Sequence, residues 1–286
     1  MNAEYLKGLL LTTLGVLVLS FDALLIRLIQ ADSFSLLFWR GLFISIMVSI
    51  WCKYRYPGQP LFHRDWASFR SSLFYASSSI CFVIAIHNTS VANVLIIISV
   101  QPLLAALIAR VFIGERSAPV TWFAIVLCIA GILWVLKDSW SGPNLRGDLL
   151  ALCAALFLSA KFVNDRGVQH KDMTPALIAG GLFVACVSVF YASPLALTGN
   201  DWSWMLLLCI FIIPTAFILI TLGPRRISAT EVGMLMSLEM VFGTILVWLL
   251  LNEEPSVSAL QGGLLILCTL MLHAYIQWQR LSRYSS

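Results

Sequence analysis

The chain has 286 residues, 60% of them hydrophobic and 11% charged, with a mean hydropathy of +0.91. So little polar surface cannot cover a soluble globule of this size, which leaves an integral membrane protein. The formal net charge of +4 does not signal nucleic acid, because the basic residues are parcelled out loop by loop and form no continuous patch.

A hydrocarbon core of about 30 Å takes about 20 apolar residues per helix. The chain supplies that length ten times, at roughly 6–29, 34–52, 66–87, 90–112, 119–137, 147–164, 174–196, 202–222, 228–250 and 257–278. The connections carry helix-ending turn chemistry: Tyr56-Pro57-Gly58, Ser141-Gly142-Pro143-Asn144, Thr198-Gly199-Asn200 and Gly223-Pro224. The first span is expected to stay uncleaved, given its length, its internal Asp22 and the lack of a small-residue cleavage pattern after it.

Helix one carries Asp22 in the outer third of the membrane, out of reach of water along its own rod. A charge at helix centre costs about 2.5 to 3.5 kcal/mol on insertion, so this carboxylate is expected to face a cavity or a partner. Helix two offers Arg40 at comparable depth, which either neutralises Asp22 or grips a substrate carboxylate with its two-point fork. Trp39, Phe74, Tyr75 and Phe82 are stacking surfaces or plain packing. At the end of helix three His87 is a structural donor or a pH-sensing gate.

Helix four bears Asn93 and Gln101, eight residues apart and so on nearly one face. They line a path or act as polar glue between helices. Pro102 just beyond them, and Pro214 in helix eight, each free a backbone carbonyl, which is tolerated where a helix lines protein or a cavity. Lys161 in helix six either snorkels or pairs with Asp165 four residues on. Helix nine carries Glu231 and Glu239, again eight apart, about 12 Å along the axis. Glu239 is too central to snorkel. A carboxyl cut off from water is disfavoured as an anion, which suits a proton-coupling group, a ligand for a cationic atom, or a protonated hydrogen bond between helices.

The four histidines, His63, His87, His170 and His273, lie at different depths and the seven cysteines form no C-x-x-C pair. No enzyme, metal or cofactor is therefore expected. His63-Arg64-Asp65 imitates a kinase triplet without its partners, and the Asn88-Thr89-Ser90 sequon has too little room between helices.

Residues 90 to 115 reappear without a gap 138 positions later. Ser90-Val91-Ala92-Asn93-Val94 answers Ser228-Ala229-Thr230-Glu231-Val232, Ser99 answers Ser237, Gln101 answers Glu239, and Glu115 answers Glu253. Asp22 and Lys161 also correspond, aligned by Ser20 with Ser159 and Arg27 with Arg166, whereas Arg40 falls opposite Gly180 and breaks the symmetry. Each copy holds five spans, an odd number, so the second enters the bilayer from the opposite side. The fold class expected is an all-α membrane protein of ten helices in two inverted five-helix repeats, 1–138 and 139–286, with a binding site between them near the midplane.

Ser99-Val100-Gln101-Pro102 running to Gly114-Glu115-Arg116, and Ser237-Leu238-Glu239-Met240 running to Asn252-Glu253, resemble the fourth and ninth helices of EamA-type transporters of the drug/metabolite superfamily. Met240 stands where that family usually has Pro, and Asn252 where it usually has Gly. The resemblance implies an inner-membrane carrier for a small polar metabolite such as an amino acid, often outward, with a vitamin, cofactor or nucleotide sugar as the alternative cargo. Its partners are then the small-molecule substrate, protons as a candidate coupling ion and the lipid bilayer, with no nucleic acid, in a monomer or homodimer. The candidate substrate-binding or coupling residues are Glu239, Asp22, Arg40, Gln101, Asn93, Glu231, Lys161 and His87.

Cytoplasmic loops accumulate Lys and Arg. With a cytoplasmic N-terminus thirteen of the eighteen fall inside, Arg27, Lys137 and Arg146 fall outside, and Arg40 and Lys161 lie within spans. Both termini are therefore expected in the cytoplasm. Reporter fusions after Arg64, Arg116, Lys171, Arg226 and Ser286 should all report cytoplasm, and fusions near Asn144, Gly199 and Asn252 the opposite side. Agreement in the first half with reversal in the second would sink the inverted arrangement.

Overall fold

The computed structural model describes residues 3–58, 61, 64–114, 119–139, 144–193, 197 and 199–284. His63, Glu115, Arg116, the Ser141-Gly142-Pro143 turn, Thr198 and Ser286 lie outside the described residues. All regular structure among them is helical.

The first rod is discontinuous: α1 (Ala3–Leu19) stops, and α2 (Asp22–Leu28) restarts after Ser20-Phe21. No Gly or Pro marks this break. The Ser20 hydroxyl donates back to the Val16 carbonyl at 3.0 Å, a local bond of the kind that bends a helix. α3 (Ser33–Arg55) begins on Asp32, whose carboxylate accepts from the Phe34 and Ser35 amides. α4 (Trp66–Asn88) begins on Asp65, which accepts from the Ser68 amide. A second broken rod follows, α5 (Val91–Ile98) and α6 (Gln101–Phe112), with Pro102 in the first turn of α6, where a missing amide costs nothing.

α7 (Pro119–Ser139), α8 (Leu145–Gly167) and α9 (Ala176–Ser188) come next. α10 (Asp201–Leu206) widens into a π-helical stretch, Leu207–Ile212, before continuing as α11 (Ile213–Thr221). Pro214 sits just past the widened stretch and cannot supply an amide to it. Ser228 opens α12 (Ala229–Leu251) with a capping box to Glu231, and Asn252 closes it in the left-handed region at φ 54°. α13 (Val257–Tyr284) completes the chain.

Among the described residues eight rods are long and apolar enough to cross a membrane, with α1–α2 counted as one rod, α5–α6 as one and Asp201–Arg225 as one. Two further apolar helices are shorter, Ala176–Ser188 and Val257–His273 within α13. Large apolar side chains such as Leu10, Ile50, Phe112, Phe123, Leu249 and Leu264 stand exposed around the bundle, as lipid contact requires.

The main packing pairs are α4 with α8, α3 with α9, α7 with α13, α4 with α9, α1 with α11 and α6 with α12. Every one joins the first half of the chain to the second. Lipid tails are as apolar as Leu, so such contacts depend on close fit and on small residues. α3 and α9 meet at Gly41 and Gly181, where a Cβ on Gly181 would lie 2.5 Å from Ile44 Cγ2 and 2.6 Å from the Gly41 carbonyl oxygen. Gly181→Ala should lower stability by about 1 to 3 kcal/mol through overpacking. Gly167→Ala, whose new methyl meets only Ile113 Cδ1 at 3.9 Å, should be near neutral. Thermal unfolding of the purified protein checks the pair, and equal melting points would contradict this packing.

Candidate functional site

The break in the first rod places Asp22 in the first turn of α2, deep in the bundle and facing α3. There Arg40 donates from Nη1 to Asp22 Oδ1 at 2.5 Å and from Nη2 to Oδ2 at 2.7 Å. Both side chains are 2% exposed. The two charges cancel in a two-point geometry, with the Phe82 ring 5.9 Å from the guanidinium carbon. The pair forms one wall of a chamber completed by Tyr75, Ser78 and Ser79 of α4, Gln101 at the start of α6 and Glu239 of α12. Leu19, Ile98, Leu158, Phe217 and Met236 supply its apolar lining.

The chamber is narrow, about 30 Å³, which is room for about one water molecule. It nevertheless holds several polar groups without partners. Both ends of the Gln101 amide and Arg40 Nε are buried with no hydrogen bond. Among the described residues the Glu239 carboxyl, on a residue only 4% exposed, has no hydrogen-bond or ion-pair partner. The charges acting on it are Asp22 and Arg40, in opposite senses. An unpartnered ionised carboxylate in such a place costs several kcal/mol, so Glu239 needs a proton or a cationic occupant.

The repeat-related helices cross beside this chamber. A Cβ on Gly233 of α12 would lie 2.8 Å from the Pro102 backbone, so glycine is needed for that approach. Hydroxyls from the second half reach the backbone at the α5–α6 break: Ser237 donates to the Ser99 carbonyl, which the break leaves free, and Ser159 donates to the Gln101 carbonyl in the first turn of α6, each at 3.2 Å.

The remaining candidates lie elsewhere. Lys161 donates to Asp165 at 2.6 Å and to Thr221 at 3.2 Å, and Ser71 completes Asp165 at 2.7 Å. This closed cluster is off the chamber. Glu231 accepts from the Tyr5 hydroxyl at 2.6 Å besides serving the α12 cap, so it tethers α1 and does not share the chamber with Glu239. Asn93 reaches Asp148 at 3.4 and 3.5 Å. His87 Nδ1 lies 2.9 Å from the Val83 carbonyl on its own helix. At the end of α12 opposite Glu231, Glu253 pairs with Arg27 at 3.1 Å and accepts from the Val91 amide at 2.9 Å.

Sequence reasoning passed over Asp148, which is fully buried and also accepts from Thr89 at 2.7 Å. It stands where the first half has Leu9, and that break in repeat symmetry was the available signal. Tyr75 and Phe82, which the sequence left open between stacking and packing, are chamber walls.

Fold and chamber together define a multi-span membrane protein with a small charged compartment enclosed between two halves. The EamA-like transporter family model matches residues 6–137 and again 145–275; the chain belongs to that family. It is 24% identical over 196 residues to the pseudopaline exporter CntI of Pseudomonas aeruginosa, covering 65% of this chain and 67% of that protein. An uncharacterised transporter of Methanothermobacter thermautotrophicus is 25% identical over 196 residues, covering 65% of this chain and 57% of that one. A Rickettsia prowazekii S-adenosylmethionine uptake transporter is 22% identical over 286 residues, 97% of this chain and 96% of that protein. A solved protein crystal structure superposes with a TM-score of 0.72 at 19% identity, covering 92% of this chain and 95% of the other, a likeness that bears on the fold alone.

Breaking a buried ion pair leaves an uncompensated charge costing roughly 3 to 5 kcal/mol, whereas removing both partners does not. Asp22→Asn and Arg40→Gln should each destabilise the protein. Arg40→Gln should be the worse, because it leaves Asp22 and Glu239 together without a cation. The double variant should recover much of the loss. Melting temperatures of the three variants decide it, and a double variant as unstable as the sum of the singles would refute the pairing account.

Proposed function

We propose that the protein is a secondary carrier with ten membrane-spanning helices in two inverted halves, 1–138 and 139–286, that expose the central chamber to the two sides of the membrane in turn. The shorter helices α9 and α13 complete the ten. What supports the inversion is the odd number of spans per half together with the packing pattern. Exchanging the halves turns the α4–α8 pair into the α11–α1 pair and returns the α3–α9, α6–α12 and α7–α13 pairs to themselves, while α4–α9 exchanges with the smaller α3–α11 contact.

The cargo is a small polar metabolite with a cationic group, moved by proton linkage or exchange. The observation that carries this reading is Glu239: a carboxyl buried in the chamber without a partner, beside an arginine whose charge Asp22 already cancels. A substrate cation and a proton can each satisfy it, but not both at once. Such competition is the elementary requirement for coupling the two fluxes. The relatives named for pseudopaline export and S-adenosylmethionine uptake are consistent with a polar metabolite and leave the direction open. We place the protein in the inner membrane with both termini cytoplasmic, on the distribution of basic residues.

The alternation follows from how α12 is held. It is tied to the broken first rod at both ends, through Tyr5 on α1 and Arg27 on α2. The break at Ser20-Phe21 lets one half of that rod leave its latch while the other stays. Opening the Tyr5–Glu231 side exposes the chamber to one face, and opening the Arg27–Glu253 side exposes it to the other.

Glu239→Gln, permanently neutral, should abolish accumulation driven by a pH gradient in proteoliposomes while leaving substrate exchange. The groups facing position 239 are Asp22, Arg40 and Tyr75, and none of them substitutes for the missing proton site. Wild-type pH dependence in this variant would assign Glu239 to packing.

A further inference from the structure

Gln101 and Glu239 are repeat counterparts, 138 positions apart, and both line the same chamber. Their neighbours Ser99 and Ser237, also counterparts, touch each other directly through the Ser237 hydroxyl and the Ser99 carbonyl. When residues related by a repeat meet, they lie beside the axis that relates the two halves. The chamber is therefore built on that axis, and an occupant lying across it meets the same position of the repeat twice, once as an amide and once as a carboxyl.

The other charges have already been removed from the count. Asp22 and Arg40 cancel, and Lys161, the counterpart of Asp22, is consumed off the chamber by Asp165. The chamber's only unbalanced charge among the described residues is Glu239. Gln101 is 1% exposed and has an amide N–H2 and carbonyl both without partners. The Tyr75 and Ser79 hydroxyls line the same chamber and are themselves without a hydrogen-bond partner, so neither satisfies the Gln101 amide. Left unpaired, each buried polar end costs about 1 to 3 kcal/mol, and an occupant that bonds to it recovers this.

We infer that position 101 is the charge selector of this carrier: Glu239 takes one cationic group, and Gln101 takes a neutral hydrogen-bonding group at the other end of the same molecule. The site accordingly favours compounds with a single positive end over dications of equal length. This inference rests on the proposed function above and adds what distinguishes one cargo from another.

The test uses purified full-length protein and three five-carbon probes: 5-amino-1-pentanol, 1,5-diaminopentane and pentylamine. Binding is read by ligand-induced shift in melting temperature and by titration calorimetry. The wild type should bind the amino alcohol about tenfold more tightly than the diamine, the equivalent of one well-made hydrogen bond. Gln101→Glu should reverse that order. Gln101→Met, which keeps length without charge, should lose about tenfold for the amino alcohol relative to pentylamine, and it serves as the second reading if the acidic variant does not fold. If the wild type binds the amines but neither substitution changes their ranking, the selector role is overturned while the cation-carrying function stands. If the wild type binds none of the three, both readings fall.

Discussion

Hydrocarbon offers nothing to hydrogen-bond an exposed backbone group, and each unsatisfied group costs several kcal/mol. That constraint decides where the two broken rods of this chain can lie. The α5–α6 break exposes the Ser99 carbonyl, which is met by the Ser237 hydroxyl from the other half, and the Ser159 hydroxyl adds a bond to the Gln101 carbonyl at the start of α6. Gly233 makes the approach possible by having no side chain to hold α12 away from Pro102. The break thus forces the two halves into contact at one level, and the chamber is the small space left beside that contact.

The same logic sorts the intramembrane charges. Asp22 finds Arg40 and Lys161 finds Asp165, each with little or no solvent exposure. Buried pairs of this kind contribute little net stability. Their consequence here is electrostatic: they balance the charges around the chamber and leave Glu239 as the chamber carboxyl without a partner among the described residues. The proposed coupling rests on that unpartnered carboxyl.

Much of this was legible in the sequence, and the limits have physical causes. Hydropathy marks the long rods because a lipid-facing helix must be apolar along its length, and the ungapped repeat marked α5–α6 and α12 as counterparts. The Ser20-Phe21 break carries no Gly or Pro and was invisible for that reason. Glu231 falls on the same stripe as Glu239 by helical spacing, yet a phenol from α1 holds it away from the chamber, and no periodicity within α12 reports a partner 226 residues distant. Similarly, Asp22 and Arg40 stood at matching depth, but whether they paired or divided a substrate depended on the azimuth of two separate helices. Asp148 gives no such signal by its depth, because it stands in the first turn of α8, where a carboxylate is ordinary helix-start chemistry and its burial depends on Thr89 and Asn93 of other helices.

The central claim is that one chamber opens to both sides of the membrane. Ser79 lines that chamber. In a background with the seven native cysteines replaced, Ser79→Cys can be challenged with a membrane-impermeant maleimide applied to right-side-out and to inverted vesicles. Alternating exposure predicts labelling from both faces. Labelling confined to one face under every condition, with transport intact, would contradict it.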